Sequence, residues 1–292
     1  MAAKFGIITE SSCDLSPDRI DSLDVLIVPI PFTINGTAYR HYPDGREISY
    51  TEFYQKLQER ADIRTAAPSP EEFLMVAEPA LKAGQDLLYL GISSTLSGTY
   101  QSGTIAMKEL QKRYPQRSIL SIDTLSGAMG EALLVEMAAK ARSQGMSLNK
   151  TAELINASKL KTAHIFTLDQ LDHLYRSGRL PAFQAMVGTI FQIKPILTLS
   201  KEGSFTVSGK VRSYHKALAK LYDLTISKAR DIKTQIIYIS HTNVRQAAEG
   251  LADKFRRAGA REVVVTLLGP SIAAHFGVGG VGISFLANER SF

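Results

Sequence analysis

The first half of the chain alternates short β-branched runs with longer stretches of helical period, and this alternation limits the possible folds more than any other feature. The runs "KFGIIT", "VLIVPIPFTI", "DLLYLGIS" and "SILSID" have the length and composition of strands. Helix starts lie between them: Ser69–Glu72 is a capping box, with Glu72 three residues after the serine cap. Strands that alternate with helices favour a largely parallel sheet covered by helices.

The second half of the chain departs from this rhythm. The segment "KPILTLSKEGSFTVSGKVR" predicts two strands around Glu202-Gly203, which is a hairpin. A long helix, "HKALAKLYDLTISKAR", follows it, and then strand, helix and strand again. We therefore predict an α/β protein of two domains. Residues 1–160 form an N-terminal domain with a mostly parallel sheet, and residues 161–292 form a C-terminal α+β domain.

Composition and charge exclude several classes of protein. The apolar content of 45% and charged content of 21% are those of a soluble globular protein. No window approaches 18 uninterrupted apolar residues, and "MAAKFGIITESS" runs directly into a strand pattern, so we expect neither a membrane span nor a leader. The single cysteine, Cys13, is compatible with a cytoplasmic protein. Although the net charge is +6, the basic residues are scattered, which argues against nucleic-acid binding.

Several familiar motifs are matched only in part. The segment "GVGGVG", Gly277 to Gly282, has the spacing of a dinucleotide loop, but a strand-like run follows it where that loop needs a helix. No pair of cysteines or H-E-x-x-H motif indicates a metal site. Thr95 stands where a nucleophile elbow needs its second glycine. We expect no metal, no cofactor and no catalytic residue.

The segment "ISSTLSGTYQSG", Ile92 to Gly103, is rich in hydroxyl groups and lies between a predicted strand and a predicted helix. Ser97, Gly98 and Thr99 would stand at the N-terminus of that helix, where free N–H groups and the positive dipole end favour an anion. Without a lysine or arginine in the loop, a single carboxylate suits it better than a polyphosphate. A helix cap with spare surface serines is the alternative.

Three further residues have two open interpretations each. His275 lies among glycines in "GPSIAAHFGVGG" and either bonds a nearby carbonyl or faces a ligand. Arg179 in "LDHLYRSGRLP" is either a helix C-terminal cation beside Gly178 or a functional residue. Arg212 flanks a hairpin strand and is either solvated or part of a contact.

Six motifs in order make the chain resemble the DegV family of fatty-acid-binding proteins over nearly its full length. They are "IITESSCDL", "TAAPSPEEF", "ISSTLSGTYQS", "LYRSGRLP", "IKPILTL" with "GKVRSYHKAL", and "LGPSIAAHFGVGG". The resemblance implies one long-chain fatty acid held between two domains of a cytoplasmic protein. It also implies a partner fatty-acid kinase, to which the non-catalytic binding subunit presents the acyl carboxylate for acyl-phosphate formation.

The resemblance assigns roles by position. The carboxylate would be held by Thr65, Ser94, Ser97 and Gly98, with Ser97 the strongest candidate, and by His275 directly or through water. Arg212 would engage the kinase, and Arg179 would shape the domain interface.

The chain departs from the family pattern at four places. The family usually has Asp at Glu10, Ser-Gln at Ala66-Ala67, Gly at Ser177, and Gly-Pro-Gly at Gly277-Val278-Gly279. The change at Ala66-Ala67 removes polar groups beside the expected head-group site.

Two other functions are compatible with individual residues. An acyl-ester hydrolase would use Ser97 or Ser94 as the nucleophile and His275 as the base, although no acid partner is identifiable. A nucleotide-binding regulator would use "GVGGVG". No motif encodes the length of a preferred acyl chain.

Overall fold

The structure is a computed structural model that describes residues 5–180 and 193–290. Its strands, in chain order, are β1 (Gly6–Glu10), β2 (Val25–Val28), β3 (Ile30–Ile34), β4 (Thr37–His41), β5 (Ile63–Thr65), β6 (Leu87–Gly91), β7 (Ile119–Asp123), β8 (Thr162–Thr167), β9 (Lys194–Leu199), β10 (Phe205–Val211), β11 (Ile236–His241), β12 (Glu262–Leu267) and β13 (Val281–Leu286). Its helices are α1 (Pro17–Leu23), α2 (Tyr50–Gln58), α3 (Pro70–Lys82), α4 (Thr99–Arg113), α5 (Ala128–Ser143), α6 (Leu148–Ser158), α7 (Asp172–Arg176), α8 (Tyr214–Lys228), α9 (Arg245–Arg257) and α10 (Pro270–Phe276).

The first sheet has the order β2-β1-β6-β7, and all three of its strand pairs are parallel, as predicted. Every residue of β1 and β6 is buried, because helices cover both faces. Ile7 and Leu88 face α5 and α6, whereas Ile8 and Tyr89 face α3 and α4. The predicted capping box at Ser69 starts α3, with both reciprocal hydrogen bonds formed.

The second sheet is mixed and has the order β10-β9-β8-β13-β11-β12. Only β11 and β12 pair in parallel among its strands, and β9 and β10 form the predicted hairpin. α8 and α9 pack on one face, through Leu221 and Phe255 against Ile237 and Ile283. The segment after the glycines at 277–280 is the strand β13, so the expected strand in place of a dinucleotide helix is confirmed.

A third sheet, with the order β4-β3-β5, is antiparallel and was not predicted. The single strand predicted for "VLIVPIPFTI" was wrong: β2 joins the first sheet and β3 joins the third, with Pro29 between them. β3 and β4 form a hairpin through Asn35 and Gly36, whose φ angles are 49° and 84°. Asn-Gly is the usual pair for this two-residue turn, so the sequence did contain a signal for the hairpin.

The two larger sheets take their strands from different halves of the chain, residues 6–123 and 162–286. The predicted boundary at residue 160 falls between α6 and β8, and the exact division remains a prediction. α5 packs against strands of both sheets and thereby holds the two halves together. Within residues 5–180 and 193–290, no helix has the length and apolarity needed to cross a membrane.

Candidate functional site

A cavity with about 1050 Å³ of atom-free space lies between the two halves of the chain. Most of its wall is apolar, and the larger apolar side chains are Ile30, Ile92, Leu96, Phe166, Leu199, Phe205, Leu268, Ile272, Phe276 and Ile283. A ligand enclosed here contacts both halves and loses its apolar surface from water.

Two predicted residues meet at one end of the cavity. Thr65 is the last residue of β5, and His275 lies in the last turn of α10. Thr65 Oγ1 and His275 Nε2 are 2.9 Å apart. Burial lowers the pKa of His275 to about 4, and the nearby charges of Arg179 and His173 act in the same direction. The imidazole is therefore neutral at pH 7 and acts as a hydrogen-bonding group instead of a cation.

The hydroxyl-rich loop contributes Ser97 and Gly98 to the same wall. α4 begins at Thr99, as predicted, with Gly98 in the cap position. Ser97 Oγ accepts a hydrogen bond from the Thr99 backbone N–H at 3.2 Å and lies 2.8 Å from Thr99 Oγ1. Ser97 therefore supports the start of the helix and also lines the cavity, so the two interpretations of this loop are compatible.

Ser93 and Ser94, earlier in the loop, make contacts with other segments of the chain. Ser93 Oγ donates to the carbonyl of Gly203 in the β9–β10 turn at 3.0 Å. The Ser94 backbone N–H faces the Asp123 carboxylate, with N–O distances of 3.3 and 3.4 Å. Among the described residues that line the cavity, Ser94 is absent. Its role at the carboxylate stays a prediction. The loop thus joins the second sheet to the first.

Two predicted arginines occupy different places. Arg179 lines the cavity and donates through Nε to the carbonyl of Leu96 at 3.4 Å, and through Nη1 to the carbonyl of Ser177. Its bond to Leu96 joins the two halves of the chain beside the cavity. Arg212 is exposed just after β10 and is not part of the described wall.

The pair that a hydrolase requires is not formed in the described structure. His275 Nε2 is bonded to Thr65, and Ser97 Oγ is engaged by Thr99. Among the described residues, no group of three His, Cys, Asp or Glu side chains could hold a metal ion.

The sequence profile of the family described as "Uncharacterised protein, DegV family" matches residues 4–288. The chain belongs to the DegV family. A DegV domain-containing protein of Clostridium perfringens is 32% identical over 98% of this chain and 99% of its own. Two solved structures are also similar, each described as a fatty-acid-binding DegV protein. One, from Thermus thermophilus, is 31% identical with a TM-score of 0.88 over 97% of this chain and 99% of its own. The other, from Streptococcus agalactiae, is 27% identical with a TM-score of 0.85 over 99% and 100%.

One departure from the DegV pattern lies in the wall of the cavity. Ala66 and Ala67, where the family usually has Ser-Gln, follow Thr65 directly and line the cavity with it. Their methyl groups offer no hydrogen bond, so Thr65 is the polar side chain of this segment that faces the cavity.

A second departure from the DegV pattern is Glu10, where the family usually has Asp. Glu10 and Glu131 form a buried pair of carboxyl groups. Glu10 accepts hydrogen bonds from Tyr89 Oη and, at 3.2 Å, from the Ile92 N–H. Glu131 accepts from Thr9 Oγ1 at 2.7 Å and from Ser12 Oγ at 3.1 Å. Burial raises the pKa of Glu10 to about 7; burial and then the charge of Glu10 raise that of Glu131 well above its ordinary value.

Sequence reasoning missed a polar network beside α10. Ser271 Oγ lines the cavity and lies 2.8 Å from His41 Nδ1, and His41 Nε2 lies 3.1 Å from Tyr50 Oη. Asp14 Oδ1 accepts from the Gly269 N–H at 2.8 Å. Burial raises the pKa of Asp14 to about 8 and lowers that of His41 to about 3, which keeps both groups neutral near pH 7.

Proposed function

We propose that this DegV-family chain binds one long-chain fatty acid in the cavity, with the acyl chain along the apolar wall. The carboxylate lies at the end formed by Thr65, Ser97, Gly98 and His275, which we call the head-group end. The observation that carries the proposal is the mostly apolar cavity between the two halves of the chain, with this small neutral polar cluster at one end. The fatty-acid-binding DegV proteins of Thermus thermophilus and Streptococcus agalactiae support it.

Burial of the acyl chain supplies most of the binding free energy. Each buried methylene contributes about 0.8 kcal/mol, so ~14 of them offer on the order of 11 kcal/mol before the costs of ordering. The head group then needs only modest hydrogen bonds, which fix the direction of the ligand. Arg179 adds a positive charge to the wall near His275, which favours a carboxylate at this end.

Neutral His275 orients the Thr65 hydroxyl. When Nε2 carries the imidazole proton, it donates to Thr65 Oγ1 and leaves the threonine proton free for the carboxylate. A hydroxyl that donates to an ionised group makes a hydrogen bond of the stronger, charge-assisted kind.

Removing this hydroxyl weakens binding. We expect Thr65→Val to raise the dissociation constant for a saturated fatty acid by about 10-fold or more, since a hydrogen bond to a charged group contributes about 1.5–3 kcal/mol. Titration calorimetry with delipidated protein measures the change. The matched control is Thr33→Val on the neighbouring strand β3, outside the cavity wall. Equal affinities for Thr65→Val and the unaltered protein would contradict the assignment of Thr65.

The carboxylate end opens toward a basic surface, which supports its presentation to a partner. Thr65, Arg179 and His275 also line a neighbouring cleft with Arg60, Arg64 and Arg176, and with Asp62, which pairs with Arg64 at 3.0 Å and leaves the cleft with an excess of positive charge. We infer that the protein does no chemistry itself and presents the carboxylate to a cytoplasmic fatty-acid kinase. Positive charge around the exit suits an acidic partner surface or a phosphate donor.

Arg212 provides a test of the kinase contact. We expect Arg212→Glu to keep its bound fatty acid but to reduce acyl-phosphate formation by a cognate kinase about 10-fold or more, because a like charge then faces the partner. Formation of acyl phosphate is followed by its hydroxamate. Lys220→Glu, an equal charge reversal at another exposed position of the same half, is the control. If both variants support the same rate, Arg212 does not contact the kinase.

Extraction of the purified, untreated protein with organic solvent tests the binding function itself. Mass spectrometry of the extract should identify a long-chain fatty acid in near-stoichiometric amount. An empty extract, together with no uptake of added fatty acid, would contradict the proposed function. Hydrolysis of a nitrophenyl ester that is abolished by Ser97→Ala would instead support the hydrolase.

A further inference from the structure

One part of the cavity wall has no role in holding a carboxylate or a saturated chain. Ser240, Ser284 and His164 line the cavity from one face of the second sheet, and we call them the distal polar patch. Strand register places Ser240 opposite Gly282 and Ser284 opposite His164. Each member is less than one-tenth exposed, at 8%, 7% and 7% respectively. These are buried polar groups that face ligand space.

The distal polar patch lies on the second sheet, whereas Thr65, Ser97 and Gly98 of the head-group end belong to the first half of the chain. Phe276, the neighbour of His275, stacks on Phe166 with ring centroids 5.2 Å apart. His164 is two residues along β8 from Phe166, which is about 7 Å at the usual rise of a strand. Ser240 is two strands across the sheet from Phe166, about 10 Å away at the usual spacing. A group bound by the patch therefore lies along the acyl chain and not at its carboxylate.

Ser240 is the member without a partner. In residues 5–180 and 193–290 its hydroxyl makes no hydrogen bond, and it lies over Gly282, where an added Cβ would come within 2.9 Å of Ser240 Oγ. By contrast, Ser12 and Ser271, which also line the cavity, are bonded to Glu131 and His41. Once an apolar ligand chain covers the Ser240 hydroxyl, leaving it unpaired costs about 1–3 kcal/mol.

A relay of hydrogen bonds prepares Ser284 to donate into the cavity. Arg290 Nη2 donates to Ser126 Oγ at 3.0 Å, which directs the Ser126 proton to His164 Nε2 at 3.1 Å. The neutral imidazole then carries its proton on Nδ1, which lies 3.4 Å from Ser284 Oγ. With its oxygen used as the acceptor, Ser284 keeps its own proton free for a ligand.

We propose that this cavity binds a long-chain fatty acid that carries a hydroxyl group on its chain, and that Ser240 and Ser284 bind that hydroxyl. The inference rests on the proposed function, of which it specifies the ligand class. A chain hydroxyl both donates and accepts, so it accepts from Ser284 and pairs with the otherwise unpartnered Ser240. A saturated chain at the same place leaves Ser240 without a partner and the Ser284 proton without an acceptor.

Competition between acids tests the inference. Delipidated protein is titrated with octadecanoate and with a series of octadecanoic acids, each with one hydroxyl at a different carbon. We expect at least one isomer to bind about 10-fold more tightly than octadecanoate, as one or two recovered hydrogen bonds allow. If every hydroxylated isomer binds more weakly than octadecanoate, the inference is wrong.

Variants locate the effect. We expect Ser240→Ala and Ser284→Ala each to weaken binding of the preferred isomer by about 5-fold. Ser240→Ala should also strengthen binding of octadecanoate, because a methyl group then replaces a hydroxyl that has no partner. Ser227→Ala, on the exposed surface of α8, should change neither affinity. Variants that shift both acids equally would overturn the role of the patch. If the unaltered protein binds neither acid, fatty-acid binding itself is contradicted. If it binds octadecanoate but prefers no hydroxylated isomer, only the role of the distal polar patch is contradicted.

Discussion

Replacing Arg290 by alanine should lower the free energy of unfolding by about 3–5 kcal/mol, because several buried acceptors lose their donor and each one left unpaired costs about 1–3 kcal/mol. Arg290 is only 2% exposed, and its guanidinium donates five hydrogen bonds, which is its full complement. The acceptors are the carbonyls of Thr162, Leu125, Ser200 and Lys159 and the hydroxyl of Ser126. They belong to both halves of the chain and to the segment between them.

The loss comes from groups that remain buried after the substitution. Without the guanidinium, these carbonyls lose their donor and cannot all regain one from water. Burial lowers the pKa of Arg290 to about 10, so the group is still charged at pH 7. Arg290→Lys keeps the charge but has three donors on one atom, and it should lie between the alanine variant and the unaltered protein.

Chemical denaturation measures these differences. Arg261→Ala is the matched control, because Arg261 also donates to a carbonyl, that of Thr234 at 2.9 Å, but lies on the surface. We expect this control to change the free energy of unfolding by less than about 0.5 kcal/mol. If Arg290→Ala is as mild as Arg261→Ala, the network around Arg290 does not hold the two halves together.

The buried carboxyl groups should make the protein less stable as the pH rises from 6.5 to 8. Burial raises the folded-state pKa of Glu10 to about 7, that of Asp14 to about 8, and that of Glu131 well above its ordinary value. In this interval the unfolded chain has lost these protons, whereas the folded chain still holds that of Glu131, most of that of Asp14 and part of that of Glu10, so rising pH favours unfolding. The loss is about 2 kcal/mol for each carboxyl that keeps its proton over the interval.

Below pH 6.5 the buried histidines also affect the stability. Burial lowers the pKa values of His41, His164 and His275, so protonation of the unfolded chain opposes folding as the pH falls below 6.5. Well above pH 6.5 these groups are neutral in both states and the carboxyl groups act alone. Below pH 6.5 the histidines and the carboxyl groups act in opposite directions, so the dependence of stability on pH should be weaker there than above it.

Denaturation at a series of pH values tests this prediction. We expect the free energy of unfolding of Glu131→Gln to fall less between pH 6.5 and 8 than that of the unaltered protein. The difference should be the contribution of one carboxyl group, since the amide has no proton to lose. Glu71→Gln, at an exposed position of α3, should leave the slope unchanged. A stability that rises with pH in the unaltered protein would mean that these carboxylates are ionised in the folded state.

Local sequence patterns were enough for most of the fold. The parallel sheet follows from fully apolar strands such as β1 and β6, and the start of α3 follows from its capping box. The third sheet was missed because β5 has only three residues and the first two residues of β4 are exposed, so neither strand has a clear alternation.

The site was harder to predict because its contacts are distant in sequence. Thr65 and His275 are separated by 210 residues, and His41 and Ser271 by 230. The motif resemblance predicted the first pair, whereas nothing local marks His41 as a neighbour of the cavity. The resemblance also placed Ser94 at the carboxylate, and this stays a prediction; in the structure its backbone N–H faces Asp123.

The cavity also has a consequence for the lifetime of the protein in a cell. Its walls are core residues, and an acyl chain that fills it is buried like any other core side chain. A ligand that binds only the folded state adds stability according to its concentration, about 2.7 kcal/mol at 100 times the dissociation constant. Thermal denaturation with and without fatty acid measures that gain. Under starvation for lipid, the unoccupied protein would be the form that proteases degrade first, so its abundance would follow the supply of its ligand.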